Sequence, residues 1–142
     1  MPIKNYTTQK PALRSIQEIQ DSLVQHGAIG VLYEYEKGTG RIAALRFGLM
    51  IKDRPVQFSL PVNWRKFQAV LKIQNVRRWD DEDYCYRVAW CDIKDWILAQ
   101  MALYETEMVE LPQVFLPFAT DENGQTIYNK IITNPKFLLG GE

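Results

Sequence analysis

The sequence predicts an α+β fold. One helix precedes a three-stranded antiparallel β-meander, and two helices follow it, the last one long and apolar, before an irregular C-terminal tail. Apolar residues recur at steps of three and four from residue 13 to 26, and three segments rich in β-branched and aromatic residues come next. From residue 81 to 108, apolar or aromatic residues occur on nearly every helical face. With 142 residues, the chain suits a single domain, 1–142, with its own core.

The first helix is predicted over 13–26, because Gly27 stands where a glycine commonly ends a helix. Its apolar stripe consists of Leu13, Ile16, Ile19 and Leu23. Strands are predicted over 28–36, 41–51 and 56–60, separated by the turn sequences KGTG and KDRP. Alternation along the strands predicts these inward side chains: Ile29, Val31, Tyr33, Tyr35, Leu45, Phe47, Leu49, Ile51, Val56, Phe58 and Leu60.

Asn63 is predicted to cap a second helix over 64–74, and Asp80 a third over 81–108. The second helix is expected to bury Trp64, Phe67, Val70 and Leu71. The third is apolar on most faces, and a small α+β domain has too little sheet to cover it. We therefore expect a homo-oligomer assembled through the helix around Tyr84–Tyr104. One short helix is expected in the tail near 126–131.

The composition excludes several classes of protein. Lys and Arg together number 17, as do Asp and Glu, so the net charge is zero and gives no long-range attraction to nucleic acid. No apolar run approaches the roughly 18 residues that span a bilayer. The segment MPIKNYTTQKPALRS is too polar for a signal peptide. We expect a soluble, cytoplasmic protein without a membrane partner.

Catalytic groups are scarce, so the sequence predicts no enzyme, no catalytic residue, no cofactor and no metal site. His26 is the only histidine, and at a helix end it can cap carbonyl groups. Cys85 and Cys91 lack the neighbouring histidine pair of a zinc site, and we expect reduced, packed thiols. The acidic run 80–83 lacks the spacing of a calcium loop, and helix capping explains it.

The segment RPVQFSLPVNWRKFQAVLKIQNVRRW, residues 54–79, contains six basic residues and no acidic one. Guanidinium groups bind phosphate oxygens and aromatic faces stack on bases, so the segment predicts a surface for a phosphate-bearing ligand. The alternative is an ordinary solvated surface. In that case Trp64 and Phe67 belong to the core, and the charges pair with the acidic clusters at 80–83 and 105–110.

A second constellation is predicted on the third helix, where Arg87, Trp90, Cys91 and Lys94 share one stripe. These residues could present phosphate and stacking contacts in a cleft. The alternative is an interface margin, in which the basic stems lie along apolar surface. The predicted ligand-binding residues are Arg65, Lys66, Arg77, Arg78, Trp79, Arg87, Trp90 and Lys94, with Trp64 as a further wall of the pocket.

The chain also contains the segments KNYTT, IQEIQDSLVQHGA, FSLPVNW, YRVAWCDIKDWILAQMALYETEMVEL and VFLPF. Together they resemble a family of small uncharacterised proteins encoded by bacteriophages, prophages and related mobile elements. The most specific part is 87–96 with the downstream EMVEL and VFLPF. The resemblance implies a small protein that acts in the cytoplasm of a bacterial host cell, and it carries over no catalytic residue.

These observations predict a non-enzymatic phage or prophage protein that sequesters a nucleotide-derived, phosphate-bearing immune signal and so counters host defence. One alternative is a single-stranded nucleic-acid-binding accessory protein that uses the same surface. Another is a protein inhibitor of a host enzyme, which would dock through the third helix or VFLPF. Binding that depends strongly on salt and grows with oligonucleotide length would indicate nucleic acid, and thermal stabilisation by one small nucleotide and not by long DNA would indicate a signal.

Overall fold

The computed structural model describes residues 1–136. Helix α1 (Ala12–Gln25) precedes the strands β1 (Ile29–Tyr35), β2 (Ile42–Ile51) and β3 (Arg54–Pro61). The helices α2 (Trp64–Ile73), α3 (Glu82–Glu105), α4 (Leu111–Phe115) and α5 (Ile127–Thr133) follow, with one 3-10 turn at Leu116–Phe118. The strands form one antiparallel sheet in the order β1-β2-β3. The predicted α+β class, with a helix, a meander and then further helices, is confirmed.

The sheet is regular between β2 and β3 and irregular at β1. The register between β1 and β2 shifts at both ends of β1, and one of the shifts lies at Gly30, which has a φ of 66°. Val31 and Tyr33 pack against the core as predicted. Ile29 and Tyr35 are exposed instead, because the bulges interrupt the alternation that predicts them to be inward.

One buried cluster joins the sheet to the helices. Helices α1 and α2 both pack on α3, which is the central helix of that layer. Phe115 of α4 connects the two layers, because its ring stands edge-on to Phe47 at 5.2 Å and to Trp96 at 5.7 Å. Phe47 in turn stacks on Phe58 across the sheet at 5.5 Å.

Two predicted core positions on the helices are wrong. Leu13 on α1 is 66% exposed, and Val70 on α2 is 38% exposed. The buried stripe of α1 continues from Ile16 back to Ala12. Leu13 lies about 100° further round the helix and therefore faces solvent.

The N-terminal cap of α2 is the predicted residue, whereas the N-terminal cap of α3 differs from the prediction by one residue. Asn63 caps α2, because its side-chain oxygen accepts the backbone N–H of Arg65 at 3.2 Å. The predicted Asp80 cap of α3 is wrong. Asp81 accepts the backbone N–H of Tyr84 at 3.2 Å, because α3 begins one residue later than expected.

Helix α3 is covered largely by its own chain, since α1 and α2 pack against it. Its buried residues are Tyr84, Cys85, Val88, Ala89, Trp90, Cys91, Ile97 and Met101. The carboxylates of Asp92 and Asp95 also lie half-buried on it, so the predicted apolar character of the long helix needs correction. Leu98 and Tyr104 are the apolar side chains that α3 leaves exposed. The shortage of covering surface that predicts an oligomer is therefore absent, and the homo-oligomer through Tyr84–Tyr104 stays a prediction.

The region after α3 is more ordered than the predicted irregular tail. Helix α5 agrees with the short helix expected near 126–131. Helix α4 and the 3-10 turn were not predicted, because each contains a proline, which the first turn of a helix tolerates. Thr120 then runs beside β3 and donates its N–H to the Gln57 carbonyl oxygen at 2.8 Å. Residues 137–142 of the predicted tail lie outside the described residues.

Candidate functional site

Arg65, at the start of α2, forms an ion pair with Glu36 of the same chain. Its guanidinium donates to both carboxylate oxygens of Glu36 at 2.6 and 3.0 Å and lies 4.4 Å from the centre of the Trp64 ring. These hydrogen bonds, with another from Thr39, lower the pKa of Glu36 to about 2. Arg65 therefore joins the β1–β2 hairpin to α2, and a phosphate would have to displace Glu36 to reach it.

Arg78 and Arg87 come together at one aromatic ring. Their guanidinium carbons lie 5.2 and 5.8 Å from the centre of the Tyr84 ring. Arg78 also pairs with Asp81 at 2.5 Å, and that hydrogen bond is the main cause of the lowered pKa of Asp81. The Nε of Arg87 is buried without a hydrogen-bond partner among residues 1–136. Arg78, on the link between α2 and α3, and Arg87, on α3, thus both approach one aromatic ring.

Trp79 lies next to this pair and has a structural role as well. It is half-buried against the core, and Lys72 Nζ lies 4.8 Å from its ring centre. Its backbone carbonyl accepts from Gln68 Nε2 and from the Cys85 thiol, both at 3.2 Å. The backbone of Trp79 is therefore held in place, and a cation already lies on its indole.

Lys66 and Arg77 differ from the other exposed cations of the predicted set, Arg65 and Arg78, which pair with carboxylates. In the part of the chain that the structure describes, neither Lys66 nor Arg77 has a carboxylate within salt-bridge distance. Lys66 shares the solvent face of α2 with Val70 and with Ile73, which is 84% exposed. This face is basic and apolar and carries no acidic residue.

Three other predicted residues lie away from the Tyr84 pair or out of reach of a ligand. Trp64 and Trp90 are 1% and 0% exposed, so neither ring has a face free to stack on a base. Lys94 pairs with Asp95 at 2.5 Å and is largely buried. These three lie outside the candidate surface, which consists of Lys66, Lys72, Arg77, Arg78, Trp79 and Arg87 around the side chain of Tyr84, itself only 3% exposed.

A second charged cluster, which the sequence does not predict, surrounds Arg41. Its guanidinium donates to Asp83 at 2.7 Å and lies 4.9 Å from the Trp64 ring centre and 5.8 Å from that of Tyr86. Beside it is an open groove of about 600 Å³. The groove is lined by Leu13, Tyr35, Thr39, Gly40, Arg41, Ile42, Asp83 and Tyr86. Arg41 directly follows a glycine turn, and no local sequence signal indicates its distant partners.

His26 caps α1, as its position predicts, and also reaches across to α3. Its Nδ1 donates to the Ser22 carbonyl oxygen at 2.7 Å, and its Nε2 to Glu105 Oε1 at 2.9 Å. Both partners are acceptors, so the doubly protonated ring satisfies both. The Glu105 hydrogen bond accordingly raises the pKa of His26. His26 lines two open cavities, of about 420 and 560 Å³.

Among residues 1–136 there is no group of three His, Cys, Asp or Glu side chains that could hold a metal ion. Over the same residues, no helix has both the length and the apolar character needed to cross a membrane. Comparisons with protein-family models, with curated proteins and with solved structures found no match. The class of protein that these features define is therefore an α+β fold with a basic surface at the link between α2 and α3.

Proposed function

We propose that this protein is a non-enzymatic binding protein that takes a nucleotide on the surface around Tyr84. The observation that carries the proposal is the convergence of Arg78 and Arg87 on the Tyr84 ring. Two guanidinium groups can bind the oxygens of one phosphate, and the Arg87 Nε is a donor without a partner among the described residues. The base of the nucleotide would lie toward Trp79.

The bond between Arg78 and Asp81 does not count against a ligand. The two side chains are 52% and 36% exposed, and exposed ion pairs contribute about 0–1 kcal/mol. A phosphate carries more negative charge than the carboxylate and offers more acceptor oxygens, so it can replace Asp81 at little cost.

The resemblance to phage-encoded proteins supports a biological role for such binding. A nucleotide-derived signal of bacterial immunity would be sequestered, and the protein would act against host defence in the host cytoplasm. Sequestration needs no catalytic residue, and the surface around Tyr84 contains no base next to a nucleophile.

A thermal-shift screen tests the proposed function. The screen would include mononucleotides, cyclic oligonucleotides and ADP-ribose-type compounds, with a 20-nucleotide single strand as a separate arm. We expect one small nucleotide to raise the melting temperature as its concentration rises, since a ligand that binds only the folded state stabilises it. No shift with any small compound would contradict the proposal.

Single-stranded nucleic acid is the second candidate, and the openness of the surface favours it. Lys66, Lys72 and Arg77 are exposed along α2 and the link after it, which suits a row of phosphates better than one enclosed phosphate. Stabilisation by the oligonucleotide alone, lost steeply with added salt, would select this candidate.

A further inference from the structure

Residues 3–8, which we name the strap, lie against α3 and the end of α2 through specific hydrogen bonds. The backbone N–H of Ile3 donates to Gln74 Oε1 at 2.9 Å. The hydroxyl of Tyr84 donates to the backbone carbonyl of Tyr6. The strap therefore touches the same tyrosine whose ring Arg78 and Arg87 flank.

The side chains of the strap bind α3 as donors to carboxylates. The amide nitrogen of Asn5 donates to Asp92 Oδ1 and to Asp95 Oδ2, both at 2.8 Å. Lys4 Nζ lies 3.4 Å from Asp95 Oδ2. Asn5 has a φ of 64°, a conformation that asparagine tolerates better than most residues, so its amide can reach both carboxylates.

The charges around this contact nearly balance. Asp92 faces the negative charge of Asp95, and Lys4 and Lys94 offset both. From α1, Glu18 acts on Lys94 and is itself paired with Lys10 at 2.5 Å. Loss of one negative charge from the pair of aspartates therefore leaves the strap with fewer acceptors and a weaker attraction for Lys4.

We infer that the strap is a releasable cover on Tyr84 and the neighbouring face of α3, and that protonation of Asp92 loosens it. Release frees the Tyr84 hydroxyl and uncovers the ring that Arg78 and Arg87 both approach. The inference that release favours ligand binding rests on the proposed function, whereas the opening of the strap does not.

The acidity of the two aspartates sets the pH range. Burial raises the pKa of Asp92 to about 6, while the Asn5 hydrogen bond and the charge of Lys4 act in the opposite direction. The interactions of Asn5 and Lys4 with Asp92, which lower its pKa, both belong to the strap and are strongest when Asp92 is ionised, so protonation weakens them as the pH falls through about 6. Burial also opposes ionisation of Asp95, but hydrogen bonds from Lys94 and Asn5 outweigh it and lower that pKa to about 2.

Amide hydrogen exchange measured by NMR tests the strap without any ligand. The reporter is the Ile3 amide, expressed as a protection factor so that the intrinsic pH dependence of exchange is removed. In the unaltered protein we expect protection to fall about threefold to tenfold from pH 7 to pH 5, the scale of one net hydrogen bond. Asp92→Asn should show the low protection at both pH values.

Two further variants serve as positive and negative controls. Asn5→Gly keeps the backbone conformation available, removes the amide and should lose protection at both pH values. Asp53→Asn makes the same change as Asp92→Asn at an exposed turn and should behave as the unaltered protein. Protection that stays constant or rises on acidification, or a normal pH response in Asp92→Asn, would overturn the inference.

The affinity for the nucleotide found by the thermal-shift screen then tests whether release of the strap favours ligand binding. Asn5→Gly should bind it more tightly than the unaltered protein does at pH 7. Equal affinity in the two proteins would refute the claim that release of the strap favours binding, and would leave the proposed function intact. A screen in which no nucleotide binds would refute the proposed function, and would leave the hydrogen-exchange result unaffected.

Discussion

At the scale of single residues, the acidity of His26 is the most accessible property of the molecule. It is the single histidine of the chain, so its ring protons can be followed by NMR without assignment. The Glu105 hydrogen bond raises its pKa above the usual 6.5. We expect a midpoint above 6.5 that moves down in Glu105→Gln. A midpoint at or below 6.5 in the unaltered protein would show that the bond does not form.

The same shift predicts how stability depends on pH. A histidine whose pKa is raised on folding contributes stability that is fully present below the unfolded pKa of 6.5 and is lost as the pH rises through the folded pKa. Urea denaturation above and below pH 6.5 should show a larger loss for the unaltered protein than for Glu105→Gln. Equal losses in the two proteins would refute the linkage.

Trp79 and Arg78 are neighbours with different expected roles. Trp79→Ala should lower the free energy of unfolding by about 2–4 kcal/mol, because half of a large ring leaves the core. Arg78→Ala should change it by about 0–1 kcal/mol, because its pair with Asp81 is exposed. Chemical denaturation measures both. A large loss in Arg78→Ala would mean that the arginine belongs to the structure and not to a ligand surface.

At the scale of elements, α4 is attached to the core by Leu111 and by the ring of Phe115. Phe115→Ala should lower the free energy of unfolding by about 3–5 kcal/mol, since Phe47 and Trp96 both lose an edge-on partner. Leu116→Ala, on the next residue, removes an exposed side chain and should change it by about 0.5 kcal/mol or less. Similar effects of the two substitutions in denaturant unfolding would contradict the role given to α4.

The elements that the sequence predicts well are those with local signals. The periodicity of α1, the Asn63 cap and the alternation of β2 and β3 all act within a few residues of one another. Helix α4 was missed because its proline reads as a break. The strap was missed for a different reason, since Asn5 and Asp92 are 87 residues apart and neither has a local pattern that indicates the other.

The candidate site could be predicted only in part for the same reason. The density of positive charge draws attention to residues 54–79, and Arg78 of that segment approaches the same Tyr84 ring as Arg87 of α3. Sequence alone could not show that Glu36 holds Arg65, because that contact depends on how the hairpin packs on α2. It also could not show that Trp90 faces the core, because α3 has apolar residues on most faces and no clear amphipathic direction.

At the scale of the whole molecule, the state of association is open to direct measurement. Since α1 and α2 cover α3, we base no proposal on an oligomer, and the surface left for one on α3 is around Leu98 and Tyr104. Sedimentation velocity at micromolar concentration decides the sequence-based prediction of a homo-oligomer. A clean monomer would contradict it, and a dimer dispersed by Leu98→Glu with Tyr104→Glu would place the interface on α3.

The measurement that tests the proposed function most directly is isothermal titration calorimetry, in which the nucleotide found by the screen is titrated into the protein. Arg78→Ala with Arg87→Ala should weaken binding by about 1–3 kcal/mol or more, the scale of lost charge-assisted hydrogen bonds. Arg54→Ala is the matched control, because it removes an exposed charge of the same basic segment at the far end of β3 and should leave the affinity unchanged. An affinity that is equal in all three proteins, or lost equally with Arg54→Ala, would contradict a nucleotide site at Tyr84.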